Sequence, residues 1–364
     1  MTMDKAKPQR NSAVELLRIL AMLFIVCSHC RLHAGFPDAD SKLFLNNILL
    51  DWCVLGNLGV DIFMLISGYF LCDNLHYSRS RSAVSLLSQV WFYSILGLGI
   101  YWITGHSLTL GTLLPSIFPT VFSQYWFFTA YFVLIFFLPY INMVINKLDR
   151  IQLLSLIGTM LFFWCIIPTF AHQEMGGGVL CQFLMFYNIG AYFKKYPDTI
   201  LKKKKNRYLL TAVSALLMIA SSVVLRFVFG KYMQYFYARQ SLLAVGFAVG
   251  LFAISIYRKS FCNPWINKIA GCTFGVYLLH DHPLMRGIIW QEWLPKNRFY
   301  DSYLLIAAIV LSVLIVMSAG TVVELIRQAT VKKPMENFLG IVFRKVQNFF
   351  KSCRMKMSKA ALLH

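Results

Sequence analysis

The fold is most clearly indicated by NSAVELLRILAMLFIVCSHC, residues 11–30. The apolar run from 14 to 32 is long enough for one membrane span, which needs about 20 such residues. Glu15, Arg18 and His29 interrupt it, and Arg31 lies at its end. Arg18 and His29 are separated by close to three full helical turns, a rise of about 16 Å, so a helix presents both on one face.

Ionisable residues inside a span are energetically costly and are functional candidates for that reason. Glu15 is three residues before Arg18 and is placed to pair with it on a helix. The alternative without function is an arginine that snorkels to one membrane boundary and a histidine at the other. Arg226, near the end of a later apolar run, is interpreted as a snorkelling residue.

The composition of the whole chain indicates a membrane protein. The 364 residues are 58% hydrophobic and only 14% charged, whereas a soluble domain is roughly half apolar and about a quarter charged. The mean hydropathy is +0.60. These values exclude a disordered chain and argue against an ordinary soluble two-domain protein.

Uninterrupted apolar runs predict about ten membrane-spanning helices, separated by Pro, Gly, Asn and charged residues. The predicted spans are 14–32, 48–71, 84–104, 124–145, 151–170, 179–194, 208–229, 238–257, 268–290 and 302–326. With the N-terminus inside, 26 of the 35 Lys and Arg residues fall on the inner side and seven on the outer side. Cytoplasmic loops carry the excess of basic residues. The expected fold is therefore all-α and polytopic, with both termini cytoplasmic.

The net charge of +20 is thus a mark of topology, and we expect no nucleic-acid partner. The chain divides into a membrane domain, 1–330, and a basic cytoplasmic tail, 331–364. The tail fits either an amphipathic helix on anionic lipid or a disordered segment. The nine cysteines are scattered, which does not indicate a disulfide framework. Cys27 and Cys30 form one isolated CxxC beside His29, so we expect no metal site.

Two later stretches contain further polar residues. Asp61 and Ser67 lie in GVDIFMLISGYF, 59–70, and His280 lies in TFGVYLLHDHP, 273–283. A carboxylate within a span must be paired or hydrated. The Ser-Gly pair is equally typical of close helix packing, and His280 also fits an interfacial cluster without chemistry.

Five stretches in order resemble the membrane-bound acyltransferase 3 family. They are residues 11–30, GVDIFMLISGYF, YWFFTAYFVLIFFLPYIN (125–142), FLMFYNIGAYFKKY (183–196) and TFGVYLLHDHP. Arg18 and His29 stand as the Arg-x10-His motif of that family, and the similarity covers about residues 11–330. The family includes O-acetyltransferases of surface polysaccharides, lipopolysaccharide O-antigens and exopolysaccharides, with a ten-helix membrane unit.

The resemblance implies an integral-membrane O-acyltransferase in a bacterial cytoplasmic membrane. It would move acetyl from cytoplasmic acetyl-CoA, a co-substrate, to a hydroxyl of a cell-surface or exported glycan. The glycan acceptor and the lipid bilayer are the other expected partners, and no bound cofactor is expected. An exporter of polysaccharide or lipid-linked sugar without chemistry, or transfer of succinyl in place of acetyl, are the alternatives.

Catalytic roles are expected for three residues. His29 is a general base for the sugar hydroxyl or a covalent acyl carrier. Arg18 binds phosphate or carbonyl oxygen of the donor through its several N–H groups, and Asp61 orients a histidine or pairs with Arg18. Substrate binding is expected of Glu15, Ser67, Trp126, Tyr131, Tyr277 and His280.

The chain departs from the family pattern at two places. Many relatives have Arg-x-x-Arg at the start of the third span, and the nearest match here is Arg79-Ser-Arg81. Many also have Glu five residues after the Trp of the fourth span. Here Tyr131 follows Trp126 at that spacing, which resembles a subgroup common among capsule-modifying proteins.

Overall fold

The computed structural model describes residues 10–74, 79–171, 175–230, 234–237, 241–342 and 344–345. These ranges contain helices and no strand, which confirms the all-α fold. The helices are α1 Ser12–His33, α2 Phe44–Trp52, α3 Gly56–Leu71, α4 Arg79–Ile103, α5 Leu110–Ile117, α6 Trp126–Lys147, α7 Arg150–Leu161, α8 Ile167–Ala171, α9 Gly178–Lys195, α10 Lys204–Phe229, α11 Leu242–Ile256, α12 Pro264–Ala270, α13 Thr273–His280, α14 Met285–Gly287 and α15 Leu305–Thr330.

Seven helical segments of the described chain are long and apolar enough to cross a membrane, which confirms a polytopic membrane protein. They are Ser12–His33, Phe44–Leu71, Ser82–Ile103, Trp126–Lys147, Arg150–Ala171, Lys204–Phe229 and Leu305–Thr330. Each coincides with one of the predicted spans. The other three predicted spans correspond to α9, to α11 and to the broken segment α12–α14. The count of ten and the side of each terminus stay predictions.

Helix α1 lies at the centre of the bundle. It packs against α3, α11, α12, α13 and α15, and residues such as Ala21 and Val26 are fully buried. Its first turn is fixed by Asn11, whose side chain accepts a hydrogen bond from the backbone N–H of Ala13 at 3.0 Å, as an N-cap does. Protein therefore surrounds α1 along most of its length, including the positions of its ionisable residues.

The second predicted span is broken at residues 53–55, between α2 and α3. The break lies directly before Gly56, where α3 meets α1. The approach is close: a Cβ on Gly56 would lie only 2.5 Å from the Cβ of Ser28. A second close approach follows one turn later, where a Cβ on Gly59 would collide with the carbonyl oxygen of Ala21. These two glycines bring the face of α3 that carries Ser67 directly beside α1.

Helices α3 and α9 cross at an equally close contact. A Cβ on Gly68 would collide with the carbonyl oxygen of Tyr187, and a Cβ on Gly190 would collide with that of Leu65. Small residues allow such backbone contact between membrane helices, where packing rather than the hydrophobic effect holds the helices together.

We expect Gly190→Ala to lower the unfolding temperature of the detergent-solubilised protein, because the added methyl must push α9 away from α3. Overpacking of this kind costs about 1–3 kcal/mol. The matched control is Gly99→Ala in α4, where an added Cβ meets nothing within 4 Å and alanine favours the helix. Thermal unfolding followed by tryptophan fluorescence measures both. Equal unfolding temperatures for the two variants would contradict the close contact.

The segment from 264 to 293 is broken into short helices rather than forming one span. Gly271 separates α12 from α13, and Pro283 follows the end of α13. Broken backbone at membrane depth is tolerated where it is buried within protein. Tyr277 and His280 are accordingly 3% and 0% exposed. The break ends α13 at His280, directly beside α1.

Arg226 of α10 has two acidic partners that the sequence did not predict. Its guanidinium is 2.9 Å from a carboxylate oxygen of Asp40 and 2.7 Å from one of Asp51, and its side chain is 7% exposed. It therefore ties α10 to α2 and to the loop before α2, and its position relative to the membrane boundary stays a prediction.

The first part of the predicted tail is helical over residues 332–342. Ser85 of α4 donates a hydrogen bond to the Glu336 carboxylate at 2.6 Å, which attaches this helix to the bundle. Residues 346–364 lie outside the described residues.

The predicted sidedness has a direct test in a cysteine-free background. Met175 and Lys205 are both exposed, at the two ends of the region that contains α9. We expect a membrane-impermeant thiol reagent to label Met175→Cys from outside intact cells and to leave Lys205→Cys unlabelled, because basic loops stay in the cytoplasm. Labelling of Lys205→Cys alone would contradict the predicted topology.

Candidate functional site

A cavity of about 680 Å³ lies beside the face of α1 that carries Arg18 and His29, and both side chains line it. Its other walls come from α3, from α4, from the start of α6 and from the segment α12–α13. The two residues are about 16 Å apart along the helix axis, so this single cavity covers the distance between them. The cavity also includes four further residues predicted to bind substrate, namely Ser67, Trp126, Tyr131 and Tyr277.

At one end of the cavity, His29 contacts the end of α13. Its Nδ1 is 2.9 Å from Nε2 of His280, and their ring centroids are 5.1 Å apart. The same Nδ1 is 3.5 Å from Oδ1 of Asp281. The His29 side chain is 13% exposed, which leaves a small part of the ring accessible from the cavity.

Asp281 is the centre of a charged cluster behind His29. Its Oδ1 accepts hydrogen bonds from Nε and Nη2 of Arg286 at 3.0 and 2.7 Å, and Nε2 of His33 lies 3.9 Å from the same atom. Asp281 is fully buried, so the arginine supplies the charge that a buried carboxylate requires. Sequence reasoning assigned no role to Asp281 or Arg286; the acidic residue between the two histidines of HDHP was the available signal.

At the other end of the cavity, Arg18 is joined by a second arginine, Arg10, which also lines the wall. Nε of Arg18 is 3.8 Å from Oε2 of Glu15. The Arg18 side chain is 29% exposed and that of Glu15 is 7% exposed. This end therefore presents two guanidinium groups to an incoming anion, and Arg10 is a residue that sequence reasoning missed.

Aromatic rings form the wall between the two ends. Phe127 stacks on Tyr131 with an interplanar angle of 13° and meets the ring of Tyr277 edge-on at 5.7 Å. Trp126 is the first residue of α6 and packs edge-on against Phe127. Ser67 lines the opposite wall, and its hydroxyl donates to the carbonyl oxygen of Phe63 at 2.8 Å. Aromatic side chains therefore line the cavity between its Arg18 end and its His29 end.

A family model described as an acyltransferase domain matches residues 11–322, most of the chain. The chain belongs to the acyltransferase 3 family. The matched segment begins at the N-cap of α1 and ends within α15. It therefore contains every described residue that lines the cavity except Arg10. Neither a curated protein nor a solved structure matches the chain.

Three of the residues predicted for this membrane acyltransferase lie behind the cavity wall as the described residues form it. Glu15 is reached through Arg18, and His280 is reached through His29. Asp61 is 2% exposed within α3. Their predicted roles stay predictions, and the positions of Glu15 and His280 favour action through the neighbouring residue rather than on a substrate.

The side chains of Arg79 and Arg81, the nearest match to the Arg-x-x-Arg of many relatives, lie outside the described residues. Within the described ranges, no group of three or more His, Cys, Asp or Glu side chains is placed to hold a metal ion. The His29 end presents groups suited to proton transfer, namely two imidazoles in contact beside a carboxylate.

Proposed function

We propose that this acyltransferase moves acetyl from cytoplasmic acetyl-CoA to a hydroxyl of a cell-surface or exported polysaccharide in a bacterial cytoplasmic membrane. The observation that carries the proposal is the single cavity that is lined by Arg18 at one end and by His29 at the other. A donor that is anionic at one end and reactive at the other fits such a cavity, and acetyl-CoA has that form.

The CoA phosphates bind at the Arg18 end of the cavity. Guanidinium groups bind phosphate oxygens through paired N–H groups, and Arg10 and Arg18 both face this end. The predicted excess of basic residues on the inner side favours this end as the cytoplasmic one, where acetyl-CoA would be present. The linear pantetheine arm then lies along the aromatic wall, and the thioester reaches the neighbourhood of His29.

At the His29 end, the imidazole removes the proton from the acceptor hydroxyl. The hydroxyl oxygen forms a bond to the thioester carbonyl carbon, and the carbon–sulfur bond breaks. The proton held by His29 passes to the departing thiolate, so the products are the O-acetyl ester and CoA. Proton transfer of this kind contributes about 10²- to 10⁴-fold to rate. A covalent acyl-His29 intermediate uses the same atoms in two steps.

The proposal is tested by the ester content of the cell's polysaccharide. We expect deletion of the gene to remove the O-acetyl signals from the NMR spectrum of the purified polysaccharide, and the wild-type gene to restore them. Normal O-acetylation in the deletion strain would contradict the proposal. Loss of surface polysaccharide with normal acetylation of the remainder would favour the export alternative, and loss of succinyl in place of acetyl would correct the donor.

A further inference from the structure

We propose that His280 is a positioning residue that fixes the tautomer of His29, with the proton on Nδ1 and the lone pair on Nε2. The role rests on the proposed acyl transfer, in which His29 acts as the base. It extends that function by assigning the reactive nitrogen of His29 and the group that selects it. The assignment takes three steps, which begin at the backbone of α13 and end at that nitrogen.

The first step is the backbone carbonyl of Val276, which lies 2.6 Å from Nδ1 of His280. A carbonyl oxygen accepts hydrogen bonds and cannot donate one, so Nδ1 of His280 carries a hydrogen. His280 is fully buried, and it also lines a second cavity, of about 450 Å³, whose other lining residues, such as Phe92 and Leu279, are almost all apolar. A neutral imidazole suits this environment. Nε2 of His280 is then an acceptor.

The second step is the contact between the two histidines. Because Nε2 of His280 accepts, Nδ1 of His29, 2.9 Å away, must donate. Asp281 supports the same assignment independently. Its Oδ1 lies 3.5 Å from Nδ1 of His29, and an ionised carboxylate is also an acceptor only. Two acceptors therefore face Nδ1 of His29, and a lone pair on that nitrogen would be repelled by both.

The third step follows from the chemistry of a neutral imidazole, in which one nitrogen donates and the other accepts. With the hydrogen on Nδ1, Nε2 of His29 holds the lone pair. Nδ1 is occupied by the cluster behind the cavity wall, and His29 lines the cavity. Nε2 is thus the nitrogen that is left to take the proton of an acceptor hydroxyl.

The cluster also suits the charged state that follows. When Nε2 takes the hydroxyl proton, His29 becomes an imidazolium with hydrogens on both nitrogens. The carboxylate of Asp281 then faces a positive charge, and Arg286 holds that carboxylate in place with two hydrogen bonds. A group that orients the base and stabilises its charged form is a recurrent arrangement in acyl transfer. His280 and Asp281 provide the two parts from adjacent positions in the chain.

The ring of His280 is held by packing as well as by hydrogen bonds. Trp290 meets it edge-on, at 86° and 6.1 Å between centroids, and Trp290 is itself fully buried. The Nζ of Lys296 lies 4.9 Å from the Trp290 ring centroid, where a cation is attracted to the ring face. These contacts keep Nε2 of His280 directed at His29.

The test is ¹⁵N NMR of the full chain in detergent, with ¹⁵N-labelled histidine and with His29 assigned by its absence from His29→Gln. In the wild type, we expect Nδ1 of His29 to show a protonated signal and Nε2 an unprotonated one. His280→Phe keeps a ring but removes the acceptor, and we expect a mixture of His29 tautomers. We expect its kcat to fall about 10- to 100-fold, less than loss of the base itself because Asp281 remains.

Several readouts separate positioning from simple support. Because His280 lies behind the cavity wall, the KM values of His280→Phe should stay within about twofold of wild type. His280→Gln, which offers an amide oxygen to His29, should recover part of kcat. The matched control is His282→Gln, a buried histidine that contacts Ser94 and Leu284, and it should leave the His29 tautomer unchanged.

A protonated Nε2 on wild-type His29 would overturn the proposal, as would His280→Phe with an unchanged tautomer and unchanged kcat. Should His280→Phe fail to fold, the wild-type spectrum and His280→Gln still decide. If the wild type transfers no acyl group at all, the proposed function fails. The spectrum of His29 then continues to test the tautomer separately.

Discussion

His29→Gln is expected to lower kcat of acyl transfer by about 10²- to 10⁴-fold while the protein still inserts and folds. Glutamine retains a polar side chain of similar reach but cannot take a proton at neutral pH. The chemical step therefore loses its base, whereas the other residues that line the cavity are unchanged. The measurement is CoA release by purified protein in lipid nanodiscs with saturating donor and acceptor, together with the unfolding temperature.

The control for that variant is His106→Gln. His106 is stacked on Tyr101 at 4.3 Å between ring centroids and does not belong to the described lining of the cavity. We expect its activity to match wild type. Full activity of His29→Gln in folded protein would show that the reaction uses another base.

Arg18→Ala is expected to raise KM for acetyl-CoA by about 10- to 100-fold, with a smaller change in kcat. Hydrogen bonds to a charged group contribute about 1.5–3 kcal/mol each, and the donor phosphates lose such bonds before and during the reaction alike. Arg18→Lys should give an intermediate KM, because an ammonium retains the charge but not the paired N–H groups. Initial rates over a range of donor concentrations measure both.

Two controls separate donor binding from structural damage in Arg18→Ala. Arg258→Ala removes an arginine that contacts the ring of Phe261 and lies outside the described cavity lining, and its KM should not change. Loss of Arg18 also leaves the buried carboxylate of Glu15 without its partner. The double variant Glu15→Gln/Arg18→Ala removes that carboxylate. Its KM should stay high, and a return to the wild-type KM would show that Arg18 only neutralises Glu15.

Long apolar runs made the membrane fold predictable from sequence. The first span was expected at 14–32, and the helix extends over Ser12–His33. The break at residues 53–55 and the short helix α13 could not be predicted in the same way. Both depend on what surrounds the chain, since the break lies just before Gly56 meets Ser28 and α13 ends at His280, which is fully buried in protein.

The candidate site was predictable only in part. Helical spacing alone places Arg18 and His29 on one face, and the structure puts both on the same cavity. The contact between His29 and His280 joins residues 251 positions apart, and no periodic pattern encodes such a pair. Arg10 was also missed, because at the end of a span it looks like any of the basic residues that mark the cytoplasmic side.

The most direct test of acyl transfer is CoA release by the purified protein in nanodiscs, measured with acetyl-CoA in the presence and absence of chemically de-O-acetylated polysaccharide. We expect release that requires the polysaccharide, a matching amount of new O-acetyl ester on it, and neither product with His29→Gln. Movement of polysaccharide across the membrane with no CoA release and no ester would show that the protein is an exporter and not the proposed acetyltransferase.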